Sequence, residues 1–140
     1  MSKYERPTWK ALQFGLYFLT AIALAYSGYK HLDFITHGIE NVKFSDLIEA
    51  WPIFSLFASA PLLITGAFLS IQRPPLAAKL ALVASVIGWG YIIIMGCAAC
   101  LTLSILVFLP DVFFAYFAPV IPLFVTTIYS YRVTRSTTAT

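Results

Sequence analysis

The chain has 140 residues, of which 60% are hydrophobic and 11% charged, with a mean hydropathy of +0.84; soluble domains carry about 25% charged residues, so an ordinary soluble fold is excluded. The formal charge of +3 gathers beside the apolar tracts and reads as a topology signal, so nucleic acid is not an expected partner. Those tracts take up most of the length, which leaves room for a single membrane domain over residues 1–140 and none for an added soluble one.

A helix crossing the roughly 30 Å hydrocarbon core needs about 20 predominantly apolar residues, with its backbone polar groups satisfied internally. Ala11 to Tyr29 is uncharged and lies between Lys10 and Lys30, which predicts a first span over about 11–30. The ten residues before it are polar and no small-residue cleavage site follows a short apolar core, so this span is expected to serve as an uncleaved insertion signal. The stretch 31–49 is expected to be an acidic outer loop containing Asp33, Glu40, Asp46 and Glu49. Within it Phe44, Leu47, Ile48 and Trp51 recur at helical spacing, which suggests a short amphipathic interfacial helix with Ser45 as its N-cap.

Ala50 to Gln72 is uncharged between Glu49 and Arg73 and predicts a second span over 50–72. Leu80 to Tyr131 holds one charge, Asp111, and is too long for one crossing. It is expected to fold as a helical hairpin turning near 109–112, where Pro110 discourages helix at Leu109 and Asp111 favours an interface. The third and fourth spans are then 79–108 and 112–131. The third exceeds the bilayer thickness and must tilt, kink or project beyond it. Pro119 and Pro122 are expected to bend the fourth, with Thr126, Thr127 or a neighbouring helix satisfying the freed carbonyls. The tail VTRSTTAT reads as a frayed, solvated end. The predicted fold class is all-α, an integral-membrane four-helix bundle.

With both termini on one side, that side holds Lys3, Arg6, Lys10, Arg73, Lys79, Arg132 and Arg135, against Lys30 and Lys43 on the other. The positive-inside rule therefore places the termini in the cytoplasm of a bacterium or archaeon, or in the matrix or stroma of an organelle. Trp9, Trp51 and Tyr131 sit near span boundaries as interfacial anchors. Ser27 and Gly28, Ala58, Ser59 and Ala60, Gly66 and Ala67, and Ala81, Ala84 and Ser85 are candidate interior seams, because small residues let helices approach closely.

Chemistry-bearing residues are few. Cys97 and Cys100 form a C-x-x-C near the outer end of span three. Close helix packing within GCAAC is the favoured reading; a thiol redox pair and a soft-metal site are the alternatives. A closed four-ligand metal site would need two further ligands. His31 and His37 are speculative ligands to a haem, copper or chlorophyll metal, although interfacial loop histidines are more often solvated. Phe113, Tyr116 and Phe117 form a speculative groove for a quinone, carotenoid or lipid, against the plainer reading of lipid-facing aromatics. The spans lack charged residues, which disfavours a self-sufficient pump or coupled transporter. No Ser, His and carboxylate fall at one depth, which disfavours a hydrolase.

FLTAIALAYSGYKHLD, Phe18 to Asp33, resembles the first helix of the DoxX/MauE-like redox-associated membrane proteins, which commonly end it with a small residue, Gly, a variable residue and Lys. Gly66 late in span two, Arg73 after it and a cysteine pair late in span three extend the likeness over about residues 12–100. The resemblance implies a four-helix subunit accompanying a membrane redox enzyme, in some cases on the path to quinone. The leading expectation is thus an accessory or anchor subunit of a respiratory or photosynthetic complex, without catalysis of its own, surrounded by lipid and other integral membrane subunits. A thiol oxidoreductase using Cys97 and Cys100, and a small oligomeric channel or soft-metal transporter, are the alternatives.

Overall fold

In a computed structural model of the chain, backbone is described for residues 3–38, 51–102 and 118–138, and side chains within 3–29, 57–93 and 118–137. The described residues form a short 3-10 turn, Lys3–Glu5, and four α-helices: α1 Pro7–Gly38, α2 Trp51–Gln72, α3 Pro74–Thr102 and α4 Val120–Thr138. Two segments, Pro7–Tyr29 and Pro74–Ile93, are long and apolar enough to cross a membrane, and Phe57–Gln72 is a shorter apolar helix. The expected Ser45-capped helix and the 109–112 turn lie outside the described residues.

Prolines set most of the helix starts. Pro7 opens α1, where a missing N–H costs nothing and the ring fixes a helical φ. Pro74 and Pro75 open α3 in the same way, and the conformational restriction they impose on the preceding residue ends α2. Arg73 is the single residue between the two helices; its N–H donates to Leu69 O at 2.7 Å and its carbonyl accepts from Ala77 N at 3.0 Å. Lys79, expected as the start of the third span, therefore lies inside α3. Pro61 lies within α2, and Thr65 Oγ1 donates to its carbonyl at 2.9 Å.

At α4 the expected bend is replaced by a helix start. Pro119 precedes the helix, its carbonyl accepting Leu123 N at 3.0 Å, and Pro122 falls in the first turn, where an absent donor leaves no bond unmade. Two ends also extend beyond the apolar tracts. Helix α1 continues through His31 and His37 to Gly38, so neither histidine lies in a loop. Helix α4 continues to Thr138, so the tail is helical as far as that residue: Val133 is buried with Tyr4 and Ala78, and Thr137 Oγ1 donates back to Val133 O at 3.2 Å.

Each helix packs on its sequence neighbour and α4 returns to α1. Contacts between Trp9 and Tyr129, Phe14 and Phe68, and Gln13 and Pro74 set α1 antiparallel to α2 and α4. The start of α1, the α2–α3 junction and the end of α4 consequently share one end of the bundle. That end collects Lys3, Arg6, Lys10, Arg73, Lys79, Arg132 and Arg135.

The interior combines small and hydroxylated residues with Leu24, Leu63, Leu123 and Val133. Thr20, Ser59, Ser70, Thr126 and Ser130 are fully buried beside Ala67, Ala77, Ala81 and Ala84, while Val86 is 72% and Ile121 75% exposed. The anticipated seam residues are buried except Ala58, which faces outward one position off the α2 stripe of Ser59, Leu63, Gly66 and Ser70. Gly88 marks the tightest approach: a Cβ there would meet a Leu123 methyl at 3.1 Å and Ser59 Oγ at 3.4 Å.

Gly88→Val is expected to destabilise the solubilised protein by about 1–3 kcal/mol, the usual range for overpacking. Gly90→Ala, with nothing within 4 Å, should leave the thermal midpoint unchanged or raise it slightly. Circular dichroism melts of the two variants check this; equal losses would contradict the close approach at Gly88.

Candidate functional site

The buried residues of α1 and α4 follow alternating steps of four and three. Gln13, Tyr17, Thr20, Leu24 and Ser27 line one helix, and Pro119, Leu123, Thr126, Ser130 and Val133 the other. This spacing gives each helix one seam toward its neighbours. Here the seam is partly polar, and it forms a hydrogen-bonded ladder.

At the basic end, Gln13 Nε2 donates to Pro74 O at 3.2 Å and to Tyr17 Oη at 3.1 Å. The Pro74 carbonyl can only accept, which fixes the orientation of the amide. Tyr17 Oη lies 2.7 Å from Ser130 Oγ. Because the amide already donates to Tyr17, the phenol proton is directed to Ser130. Gln13 Oε1 is buried without a hydrogen-bond partner among the described residues. One turn farther along, Thr20 Oγ1 and Thr126 Oγ1 are 2.7 Å apart. Thr20 Oγ1 also lies 2.8 Å from Leu16 O and 3.3 Å from Pro122 O. A hydroxyl has one proton, so with Thr20 donating to a carbonyl, Thr126 supplies the proton between them.

Helix α3 joins through Trp89, whose Nε1 donates to Thr127 Oγ1 at 2.9 Å while that hydroxyl donates to Leu123 O at 2.7 Å. Leu123 O is not a carbonyl that Pro119 or Pro122 frees, so the expected repair of a proline bend by Thr127 does not arise, and Thr126 bonds across to α1. Ser59 Oγ donates to Ala84 O at 2.7 Å and ties α2 to α3. Farther from the basic end, Ser27 Oγ of α1 is buried without a hydrogen-bond partner among the described residues.

Aromatic rings close the basic end. Tyr4 meets Trp9 and Tyr129 edge-on at 5.6 and 5.8 Å, Trp9 stacks near Tyr129 at 6.3 Å, and Lys3 Nζ lies 5.1 and 5.5 Å from the Tyr4 and Trp9 rings. Two open grooves flank this cap. One, of about 410 Å³, is lined by Pro7, Lys10, Ala11, Phe14 and Ile71; the other, of about 230 Å³, by Phe124, Val125, Ile128, Tyr129 and Arg132.

The residues singled out from sequence lie elsewhere. Cys97 and Cys100 sit one turn apart near the end of α3, on helical backbone, with side chains outside the described residues. His31 and His37 occupy the last turns of α1, their side chains likewise outside that set. Phe113, Tyr116 and Phe117 lie wholly outside it. Among the described residues no three of His, Cys, Asp and Glu come together. Gln13, Tyr17, Thr20 and Ser130 were not anticipated, and the four-three spacing of polar residues within an apolar tract was the signal that marks them.

Comparison with protein-family models, curated proteins and solved structures finds no match to this chain.

A double-mutant cycle of Thr20→Val and Thr126→Val, read by unfolding in detergent, should give a coupling energy near 0.6 kcal/mol and below about 1.7 kcal/mol, the range for interhelical hydrogen bonds in apolar surroundings. Tyr17→Phe should cost about 1–3 kcal/mol, because it leaves Ser130 and Gln13 with unmade bonds. Additive effects of the threonine pair would remove Thr20–Thr126 as a structural link.

Proposed function

We propose that the chain is an integral-membrane four-helix bundle acting as a non-catalytic accessory subunit of a larger membrane redox complex, with both termini on the cytoplasmic face of a bacterial or archaeal membrane. The observation that supports the membrane setting is the pairing of a hydroxyl-rich interior, built around Leu24, Leu63 and Leu123, with a surface of large apolar side chains. Soluble proteins bury Leu, Ile, Val and Phe and keep Ser and Thr outside. This bundle buries Thr20, Ser59, Thr126 and Ser130, and turns Leu19, Phe68, Val86, Ile93, Ile121 and Phe124 outward. That arrangement suits hydrocarbon, where outward apolar chains meet lipid or other spans and small residues permit close helix contact.

The ladder supports a packing role. Its hydroxyls are engaged with carbonyls or with each other across helices, which is what binds neighbouring spans where the hydrophobic effect supplies no drive between them. Orientation rests on the seven cations gathered at one end, opposed among the described residues there by the single carboxylate Glu5. The redox setting rests on the likeness of Phe18 to Asp33 to the DoxX/MauE-like proteins. A thiol role is the second reading, favoured by the helical backbone that keeps Cys97 and Cys100 one turn apart.

Purification of a tagged chain from native membranes in a mild detergent, followed by mass spectrometry and an absorption spectrum, tests the proposal. Stoichiometric recovery with integral-membrane redox subunits is expected, and the Cys97→Ala/Cys100→Ala variant should retain both its partners and at least half of their electron-transfer activity. Recovery of the chain alone as a homo-oligomer would overturn the accessory role. Loss of activity with assembly intact would establish the thiol reading in its place.

A further inference from the structure

We infer that the two open grooves at the basic end are seats for anionic phospholipids, with Lys10 and Arg132 holding the phosphates and the apolar walls receiving an acyl chain; this rests on the membrane reading above. The grooves are built on different helices yet have the same polarity. Helix α1 runs away from the basic end, so Lys10 precedes Ala11 and Phe14; α4 runs toward it, so Arg132 follows Phe124, Val125 and Ile128. In the smaller groove Arg132 stands at the charged end; in the larger, Pro7 lies nearer that end and Lys10 one turn farther in. In both the cation is followed inward by an apolar wall, the order an amphiphile with an anionic head requires.

The dimensions and walls agree. From Lys10 to Phe14 and from Arg132 back to Phe124 the helices rise about 6 and 12 Å, enough for several methylenes. The larger groove, about 410 Å³, falls within the usual range for small-molecule sites of about 300–1,000 Å³, and the smaller, about 230 Å³, falls below it. Its aromatic wall is held in place: Phe14 stacks on Phe18 at 5.8 Å and meets Phe68 edge-on at 5.6 Å. In the smaller groove Tyr129 is fixed by Trp9, Tyr4 and Tyr17. Charge complementarity selects the headgroup. Arg6 and Arg73, both exposed, flank the larger groove in sequence, Lys3 is turned over the Tyr4 and Trp9 rings, and Glu5 is the one carboxylate among the described residues at this end. Basic sites between spans at a cytoplasmic surface favour anionic lipid heads, each Lys or Arg contributing about 1 kcal/mol.

Native mass spectrometry of the full chain, titrated in detergent with phosphatidylglycerol or phosphatidylcholine, tests this. The wild type is expected to retain phosphatidylglycerol preferentially, and excess inorganic phosphate should not displace it. Lys10→Gln should weaken the tighter site about fivefold, the equivalent of about 1 kcal/mol, and Lys10→Arg should restore it. Arg132→Gln should weaken the second site. Lys79→Gln, at the same charged end but in neither groove, should change neither. Equal retention of the two lipids, displacement by phosphate, or equal losses in Lys10→Gln and Lys79→Gln would overturn the proposal. Alkaline carbonate extraction separates the two levels: a chain that stays with the membrane but shows no lipid preference loses only this inference, whereas a chain released to the supernatant loses the membrane reading with it.

Discussion

The fold depends on one constraint: a hydroxyl placed between closely packed helices must find its acceptor on those helices. Close approach is created by Gly88, Ala81, Ala84 and Gly66, which bring backbones near one another. In such a gap no large side chain fits and an unmade hydrogen bond costs about 1–3 kcal/mol. Thr20 against Thr126 and Tyr17 against Ser130 satisfy the requirement between α1 and α4, and Ser59 against Ala84 O satisfies it between α2 and α3. Most of the buried polar groups are paired there, with Gln13 Oε1 and Ser27 Oγ the exceptions among these seam residues, and Leu, Ile, Val and Phe are left to dominate the outer surface between the bundle ends.

The α2–α3 junction carries a second consequence of the same economy. With only Arg73 between the helices, α3 can start nowhere else, and its first carbonyl, on Pro74, lies where Gln13 of α1 can donate to it. The turn therefore also supplies the acceptor that begins the ladder. The aromatic cap of Tyr4, Trp9 and Tyr129 covers the same level from the other side.

Helix existence was legible in sequence because uncharged tracts near 20 residues announce themselves by hydropathy. Helix ends were not. Hydropathy reports where a helix would meet hydrocarbon, whereas backbone hydrogen bonding continues until something interrupts it. Lys30 to Gly38, Pro74 to Lys79 and Val133 to Thr138 are polar or mixed, contain no internal breaker beyond the prolines that start α3, and are helical. The seams were largely readable, since small residues in apolar tracts have few other uses. Ala58 shows the limit: size alone does not specify a face, and only its offset from the Ser59, Leu63, Gly66, Ser70 stripe sets it outside. The ladder went unread because one Thr or Gln scarcely alters the mean hydropathy of a span. Phase, rather than composition, reveals it.

The ladder joins residues far apart in the chain: Tyr17 and Ser130 are separated by 113 positions, Thr20 and Thr126 by 106. During synthesis α1 emerges first, and its Gln13, Tyr17 and Thr20 have no α4 to pair with until the ribosome has made nearly the whole chain. In the membrane setting proposed above, the nascent protein carries for that interval a polar stripe that hydrocarbon solvates poorly. A chain cut short before α4 would keep that stripe permanently. The hydrogen bonds that close the finished bundle thereby also mark an unfinished one.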